Sequence, residues 1–393
     1  LTARAQPAAP LAIYVHWPYC ARICPYCDFN VVRARGGDAP ARLASAIVDD
    51  LRGQARGLGP RRLGSIFFGG GTPSLMPPAV VAEIIAVAGA LWPADEPVEI
   101  TLEANPADAA GFSALAAAGV NRLSLGVQSL DDAALAFLGR DHDAAQARSA
   151  LNAAQAAFNR VSIDLIYARP DQTPAAWSRE LTEAASLGPE HISPYQLTIE
   201  PGTAFGRAAA RGRIPQIDQD LGLALYEATQ SVLGEAGYDA YEVSNHARGE
   251  AARARHNLAV WRGGDYLGVG PGAHGRRTAD GARVATVTAS KVADYVARVG
   301  ATGVGVVSED RLSQREAAEE RLLMGLRTSE GVAWRDVAVL GLGPRRSLII
   351  ELASQGWLTV GATALLATSR GRPVLDHLTM KLAQAAAADV HAA

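Results

Sequence analysis

The stretch Leu11-Ala-Ile-Tyr-Val-His-Trp-Pro-Tyr-Cys20-Ala-Arg-Ile-Cys24-Pro-Tyr-Cys27 runs from an apolar, strand-like segment straight into three cysteines. They are the only cysteines among 393 residues, and they fall within eight positions. Cysteines used as small core hydrophobes have no reason to cluster in this way. Structural zinc sites usually close with four Cys or His ligands, and ferredoxin runs supply a cysteine for every iron. Three thiolates at C-x3-C-x2-C spacing suit three irons of a cubane 4Fe–4S cluster. The fourth iron is then left to chelate a small molecule, which serves catalysis rather than electron relay.

Outward from this stretch, short apolar runs alternate with alanine-rich helical ones. Strands are predicted at Leu11–His16, Ser65–Phe68, Val98–Glu103, Arg122–Gln128, Val161–Ile166 and His191–Thr198. Helices are predicted between them, among them Ala41–Gly57, Pro78–Leu91, Ala144–Ala157 and Pro174–Leu187. Six β–α units in series predict an α/β fold with a parallel sheet and helices outside. With no dinucleotide fingerprint, an open barrel is expected rather than a doubly wound sheet, with chemistry at the C-terminal strand ends. Residues 1–240 form this barrel in our reading, and 241–305 a glycine-rich connecting region. Residues 306–393 form a smaller α+β domain of three helices and a hairpin, winged-helix-like but without a basic recognition face.

Composition excludes several classes. The chain is 49% hydrophobic and 20% charged, with net charge −3. That is ordinary for a globular protein and offers no bulk field for nucleic acid or anionic membrane. Lys291 and Lys381 are the only lysines. The cysteine count argues against a disulfide framework and for a reducing compartment. Leu1–Pro10 lacks the pattern of a secretory signal, and Ala79–Trp92 is too short to span a bilayer. A cytoplasmic location is expected, with no nucleic-acid partner.

Further polar residues sit at the ends of the predicted strands. Phe67-Phe68-Gly69-Gly70-Gly71-Thr72-Pro73 follows the second strand, and its glycines allow close approach of backbone to a ligand. Glu103 ends the third strand, and Asp164 lies among apolar residues in the fifth, where a carboxylate is costly unless bonded. Gln128 adds an amide and Arg140 a guanidinium suited to clamping a carboxylate. An ammonium, a ribose diol, a carboxylate and a sulfur near the open iron are the groups of S-adenosylmethionine.

These motifs resemble those of radical S-adenosylmethionine enzymes, and nearly the whole chain is similar to the branch around oxygen-independent coproporphyrinogen III oxidase. Within that branch it looks most like the HemW haem chaperones. The resemblance rests on the cysteine motif, Phe68-Gly-Gly-Gly-Thr-Pro-Ser74, Leu102-Glu-Ala-Asn-Pro106, Asn121-Arg-Leu-Ser-Leu-Gly-Val-Gln-Ser129 and Trp261-Arg-Gly-Gly-Asp265. It implies a partial (β/α)6 barrel. It also implies Cys20, Cys24 and Cys27 as cluster ligands, with Tyr14 and Tyr26 flanking them. Gly70, Gly71 and Thr72 would then cradle the methionine amino group, and Glu103, Gln128, Arg140 and Asp164 would hold the remaining polar groups. Thr198 falls where the oxidase contacts adenine.

Two features separate chaperone from oxidase. The oxidase carries a further cysteine where this chain has Phe29. The chaperones carry an H-N-x-x-Y-W run, matched here by His256-Asn-Leu-Ala-Val260-Trp261 with valine for the tyrosine. His256 is the expected haem ligand, with His246 and His274 in reserve. The Gly-Leu expected after Tyr167 reads Ala168-Arg169, which puts a charge near the barrel mouth. The resemblance implies haem delivery to an acceptor protein, with porphyrinogen oxidation as the rival activity. It leaves open a membrane-associated acceptor and a homodimer.

Overall fold

The computed structural model describes residues 9–34, 36–215 and 218–388. Most of the segment examined for a secretory signal, Leu1–Ala8, lies outside the described residues. Six strands carry the architecture: β1 Leu11–Trp17, β2 Leu63–Gly70, β3 Glu99–Ala104, β4 Arg122–Gln128, β5 Arg160–Tyr167 and β6 His191–Gln196. They pair in sequence order and all in parallel. Helices α1 Ala39–Leu58, α2 Pro78–Leu91, α3 Ala144–Ala157 and α4 Pro174–Ser186 follow strands β1, β2, β4 and β5, and α5 Gln219–Glu235 follows β6. The helix starts are set locally. At α3, Asp143 and Gln146 form a reciprocal capping box, a device that contributes on the order of 1 kcal/mol.

The strands alternate strictly between two faces. Ile13, Ile66, Leu102, Leu123, Ile163 and Ile192 point outward and are buried against helix residues such as Leu43, Ile47, Ile84, Leu151 and Leu181. Each such side chain contributes about 1.5–3 kcal/mol. The inner face is polar: Ser65, Glu99, Thr101, Glu103, Arg122, Ser124, Ser162, Asp164, His191 and Ser193. Strands of parallel sheets usually read as continuous apolar runs. Here many of the interior polar groups pair with one another instead, while Thr101 Oγ1 and Arg122 Nε are buried without a partner among the described residues. Arg160 Nη1 donates to Glu99 Oε2 at 2.6 Å, and His191 bonds Ser162 at 2.7 Å and Tyr241 at 2.8 Å.

The region expected to be a connector departs from that reading. Strand β7 Tyr266–Val269 joins β1 in parallel, and β8 His274–Ala279, β9 Ala282–Thr288 and β10 Val306–Arg311 extend the sheet antiparallel. With two short strands beyond β6, the sheet has twelve strands. Glycine-rich sequence reads as loop, but the glycines are there for packing. A Cβ on Gly268 would lie 2.2 Å from the His274 carbonyl oxygen. The extension is latched to the barrel through Asp50 of α1, fully buried. Asp50 accepts from Tyr295 Oη at 2.6 Å and from the Gly305 amide at 2.9 Å.

Residues 255–261, also read as loop, form helix α6 Arg255–Trp261, and α7 Val292–Thr302 packs beside α1. The C-terminal unit comprises α8 Gln314–Arg327, a short turn of helix at Trp334–Val337, α9 Ser347–Ser354, a three-stranded antiparallel sheet and α10 Leu375–Ala388. It has its own core around Leu322, Leu326, Ile349 and Leu365. Arg276 of β8 bonds Glu320 of α8 at 2.7 Å, and Arg321 donates to the Trp261 carbonyl at 2.7 Å. Among the described residues no helix is long and apolar enough to cross a membrane.

Candidate active site

The cysteines lie on the loop after β1, at the C-terminal end of the barrel. Cys20 belongs to a short strand, Tyr19–Cys20, that pairs with Val32–Arg33. The Cys20 carbonyl accepts from the Ala34 amide at 2.7 Å, and the Cys27 amide donates to the Cys24 carbonyl at 3.1 Å. The middle of the loop is held by the Phe205 amide, which donates to the Pro25 carbonyl at 2.8 Å. Burial pushes the Cys20 thiol up and that of Cys27 to about 11, so metal uptake would release protons there. Among the described residues no three His, Cys, Asp or Glu side chains converge on a single ion. A cubane does not ask for that convergence, since each thiolate takes a separate iron.

Opposite the loop, the strand ends bring the polar candidates together. The Gly70 amide donates to Glu103 Oε2 at 3.1 Å. Glu103 is pushed up to about 8 by desolvation and then by the Asp164 charge. Asp164 rises to about 6, again through desolvation, although Ser193 and Ser124 bond its ionised form. Ser124 Oγ lies 3.1 Å from Asp164 Oδ2. Gly70 has φ +110, and a Cβ there would sit 2.6 Å from the His16 ring. A Cβ on Gly71 would meet the Pro18 backbone at 2.7 Å. The Gly71 and Thr72 amides already donate to Trp17 and Tyr19 carbonyls. What this turn offers a ligand is therefore mainly acceptor oxygen, which suits an ammonium.

Arg140 reaches the cysteine loop from the other side. Its Nη1 donates to Cys24 Sγ at 3.2 Å, and Nη2 donates to the Gly126 carbonyl at 3.1 Å and to Asn105 Oδ1. Its Nε is buried without a partner among the described residues. Gln128 ends β4 with φ +64, a conformation rare outside glycine. Together these groups line a cavity of about 460 Å³ containing Cys20, Cys24, Cys27, Tyr26, Gly70, Gly71, Thr72, Glu103, Gln128, Arg140, Asp164 and Thr198. Tyr14 lies beneath it, with its hydroxyl 3.1 Å from His16 Nδ1.

His256 is elsewhere. It sits in α6, 6% exposed, with Nδ1 3.1 Å from Ser65 Oγ and its amide bonded to Glu99 Oε1 at 3.0 Å. Its ring packs on Phe67 at 5.1 Å, and burial lowers its pKa to about 4. Ser65 precedes Gly70 by five strand residues, so His256 lies about 16 Å below the cavity. His256 is the haem ligand expected from the sequence; the structure holds its imidazole inside the barrel. His246 is also buried. His274 is exposed at the start of β8. It is adjacent to Gly268 across the sheet, and so faces inward on the same rung as Tyr14.

Arg169 is corrected as well. It does not charge the barrel mouth but turns inward, 2.5 Å from Glu180 Oε2 and 2.5 Å from Ser129 Oγ. Sequence reasoning missed Asn105, Ser124 and Tyr195, all of which line the cavity. Period-two alternation would have found Ser124 and Tyr195, which share the inner face with Arg122 and Ser193.

The comparisons agree with this geometry. The model of the Radical SAM superfamily matches residues 14–180, and that of the HemN C-terminal domain matches residues 312–374. The chain is 42% identical to the Bos taurus protein named Radical S-adenosyl methionine domain-containing protein 1, mitochondrial, over 94% of this chain and 87% of that one. It is 40% identical to the Haemophilus influenzae protein named Heme chaperone HemW, over 68% of this chain and 71% of its relative. It is 33% identical to HemW of Mycobacterium tuberculosis, over 96% of both. Its fold matches that of coproporphyrinogen III oxidase HemN from Escherichia coli with TM-score 0.79 at 22% identity, over 96% of this chain and 91% of HemN. The chain belongs to the radical S-adenosylmethionine superfamily, in the branch that carries the HemN C-terminal domain and includes the HemW proteins.

Proposed function

We propose that this chain is a haem chaperone that works from the cytoplasm. In this reading Cys20, Cys24 and Cys27 hold a 4Fe–4S cluster, the cavity above it takes S-adenosylmethionine, and bound haem is passed to an acceptor protein. The observation that carries the first part is the convergence of the three cysteines with Glu103, Arg140 and Asp164 on one cavity. The residues fit the groups. Arg140 Nε is buried without a partner among the described residues, and the Glu103 carboxylate accepts only the Gly70 amide. Gly70, Gly71, Thr72 and Glu103 would accept from the amino group, Arg140 would clamp the carboxylate, and Asp164 with Gln128 would take the ribose. Tyr26 and Thr198 would flank the adenine. A cluster held by Cys20, Cys24 and Cys27 would supply one-electron chemistry to the sulfonium.

Haem binding is supported by the names of the relatives and by Phe29, which is 61% exposed where the oxidase has a cysteine. We assign the axial ligand to His274, whose ring is exposed without a hydrogen bond among the described residues and which, unlike the exposed His377 of α10, stands on a strand of the barrel sheet; an imidazole is a standard ligand of haem iron. The rival activity, porphyrinogen oxidation, is favoured by the completeness of the S-adenosylmethionine cradle. Anaerobic reconstitution followed by two assays decides. Haem titration should give a Soret shift that His274→Ala removes and His256→Ala keeps. Coproporphyrinogen III with reductant should give no protoporphyrinogen IX. Product formation, or a Soret band lost only in His256→Ala, overturns the reading.

A further inference from the structure

Asn105 follows Glu103 by two residues, just past the end of β3. Arg140 can only donate, so its bond to Asn105 fixes the amide oxygen on the guanidinium side. The amide nitrogen then faces Thr72 and donates to its Oγ1 at 3.3 Å. Arg140 Nη1 meanwhile donates to Cys24 Sγ at 3.2 Å. One directed chain thus runs from Arg140 through Asn105 to Thr72, and the same guanidinium donates to Cys24. The Cys24 sulfur and the Thr72 turn are tied together through a single amide side chain. The same amide fixes the spacing between the amino cradle and the carboxylate clamp.

We propose that Asn105 is a positioning residue, which sets the distance between Thr72 and Arg140 and orients the Arg140 hydrogen bond to the Cys24 sulfur. The proposal rests on the S-adenosylmethionine reading above. Hydrogen bonds to cluster sulfurs stabilise the reduced state and raise its potential. Partners one shell out from a metal typically change affinity by about 10- to 100-fold.

The test uses the anaerobically reconstituted full chain as wild type, Asn105→Ala and Asn105→Asp. Iron and sulfide content and far-UV circular dichroism establish folding and loading. Two quantities are then read: the S-adenosylmethionine dissociation constant, from the change it causes in the EPR signal of the reduced cluster, and the midpoint potential by redox titration. Asn105→Ala should load normally, weaken S-adenosylmethionine about 10- to 100-fold and lower the potential. Asn105→Asp keeps an acceptor for Arg140 but no donor for Thr72, and its charge competes for the guanidinium. It should weaken binding at least as much and lower the potential further. A loaded Asn105→Ala protein with wild-type affinity and potential overturns the proposal. Wild type that takes up no cluster or no S-adenosylmethionine sinks the underlying reading, and this proposal with it.

Discussion

Replacing Glu103 with glutamine should stabilise the unliganded, cluster-free protein while weakening its ligand. Glu103 is enclosed by protein, faces Asp164, and accepts one backbone hydrogen bond, from Gly70. Its carboxyl moves from the ordinary 4.5 to about 8 on folding. A carboxyl raised in this way contributes stability that is fully present below about pH 4.5 and is lost as pH rises through about 8. At about 1.36 kcal/mol per pH unit, linkage makes the ionisation cost about 2 kcal/mol at pH 6, about 3 at pH 7 and 4–5 at pH 9. Cavity water screens part of this, so about half should be measured. Glutamine keeps an acceptor for the Gly70 amide and carries no charge. Urea unfolding of both proteins between pH 6 and pH 9 reads the difference. The variant should gain about 1 kcal/mol at pH 6 and about 2 at pH 9, and bind S-adenosylmethionine more weakly when reconstituted. A variant less stable than wild type, or a difference flat across that range, would refute the argument that this site keeps a poorly solvated carboxyl for its ligand.

Three further outcomes follow from the same geometry. Glu103 and Asp164 must be ionised to accept from an ammonium and a ribose, and they sit at about 8 and about 6; S-adenosylmethionine affinity should therefore rise about 100-fold from pH 6 to pH 8.5 by equilibrium binding, a slope that Glu103→Gln should flatten. Ala168 has φ +63, so Ala168→Gly should raise stability by about 0.5–1 kcal/mol in denaturant unfolding, and an unchanged or lower midpoint counts against strain there. Glu180→Ala leaves the Arg169 guanidinium buried without its carboxylate and should cost about 3 kcal/mol, most of which the double change Arg169→Leu with Glu180→Leu should recover.

Much of the architecture was legible because it is local. The spacing of apolar residues in Leu11–Trp17, Arg122–Gln128 and Pro78–Leu91 carries its own period, and capping residues such as Asp143 and Ser313 mark helix starts on the chain itself. The extension from Tyr266 to Arg311 was not legible. Its first strand has four residues amid glycines, and only the neighbouring strand β1 makes it a strand. The inner face could have been read further, since Glu99-Thr101-Glu103 and Arg122-Ser124 alternate polar with apolar in strands that a buried parallel sheet would otherwise make apolar throughout.

The cysteine triplet and the polar residues at strand ends were determined by sequence, because ligand count and side-chain chemistry are properties of the residues themselves. Which of those residues meet was decided by tertiary structure. Arg140 finds Cys24 across 116 positions, and Asn105 joins it to Thr72 only because parallel register brings β2 and β3 to the same height. His256 shows the converse. Its motif suggested a ligand, but Ser65, Phe67 and Glu99 enclose it inside the barrel, while His274, less conspicuous on the chain, is exposed. Burial and register depend on residues far apart in sequence, and no local pattern encodes them.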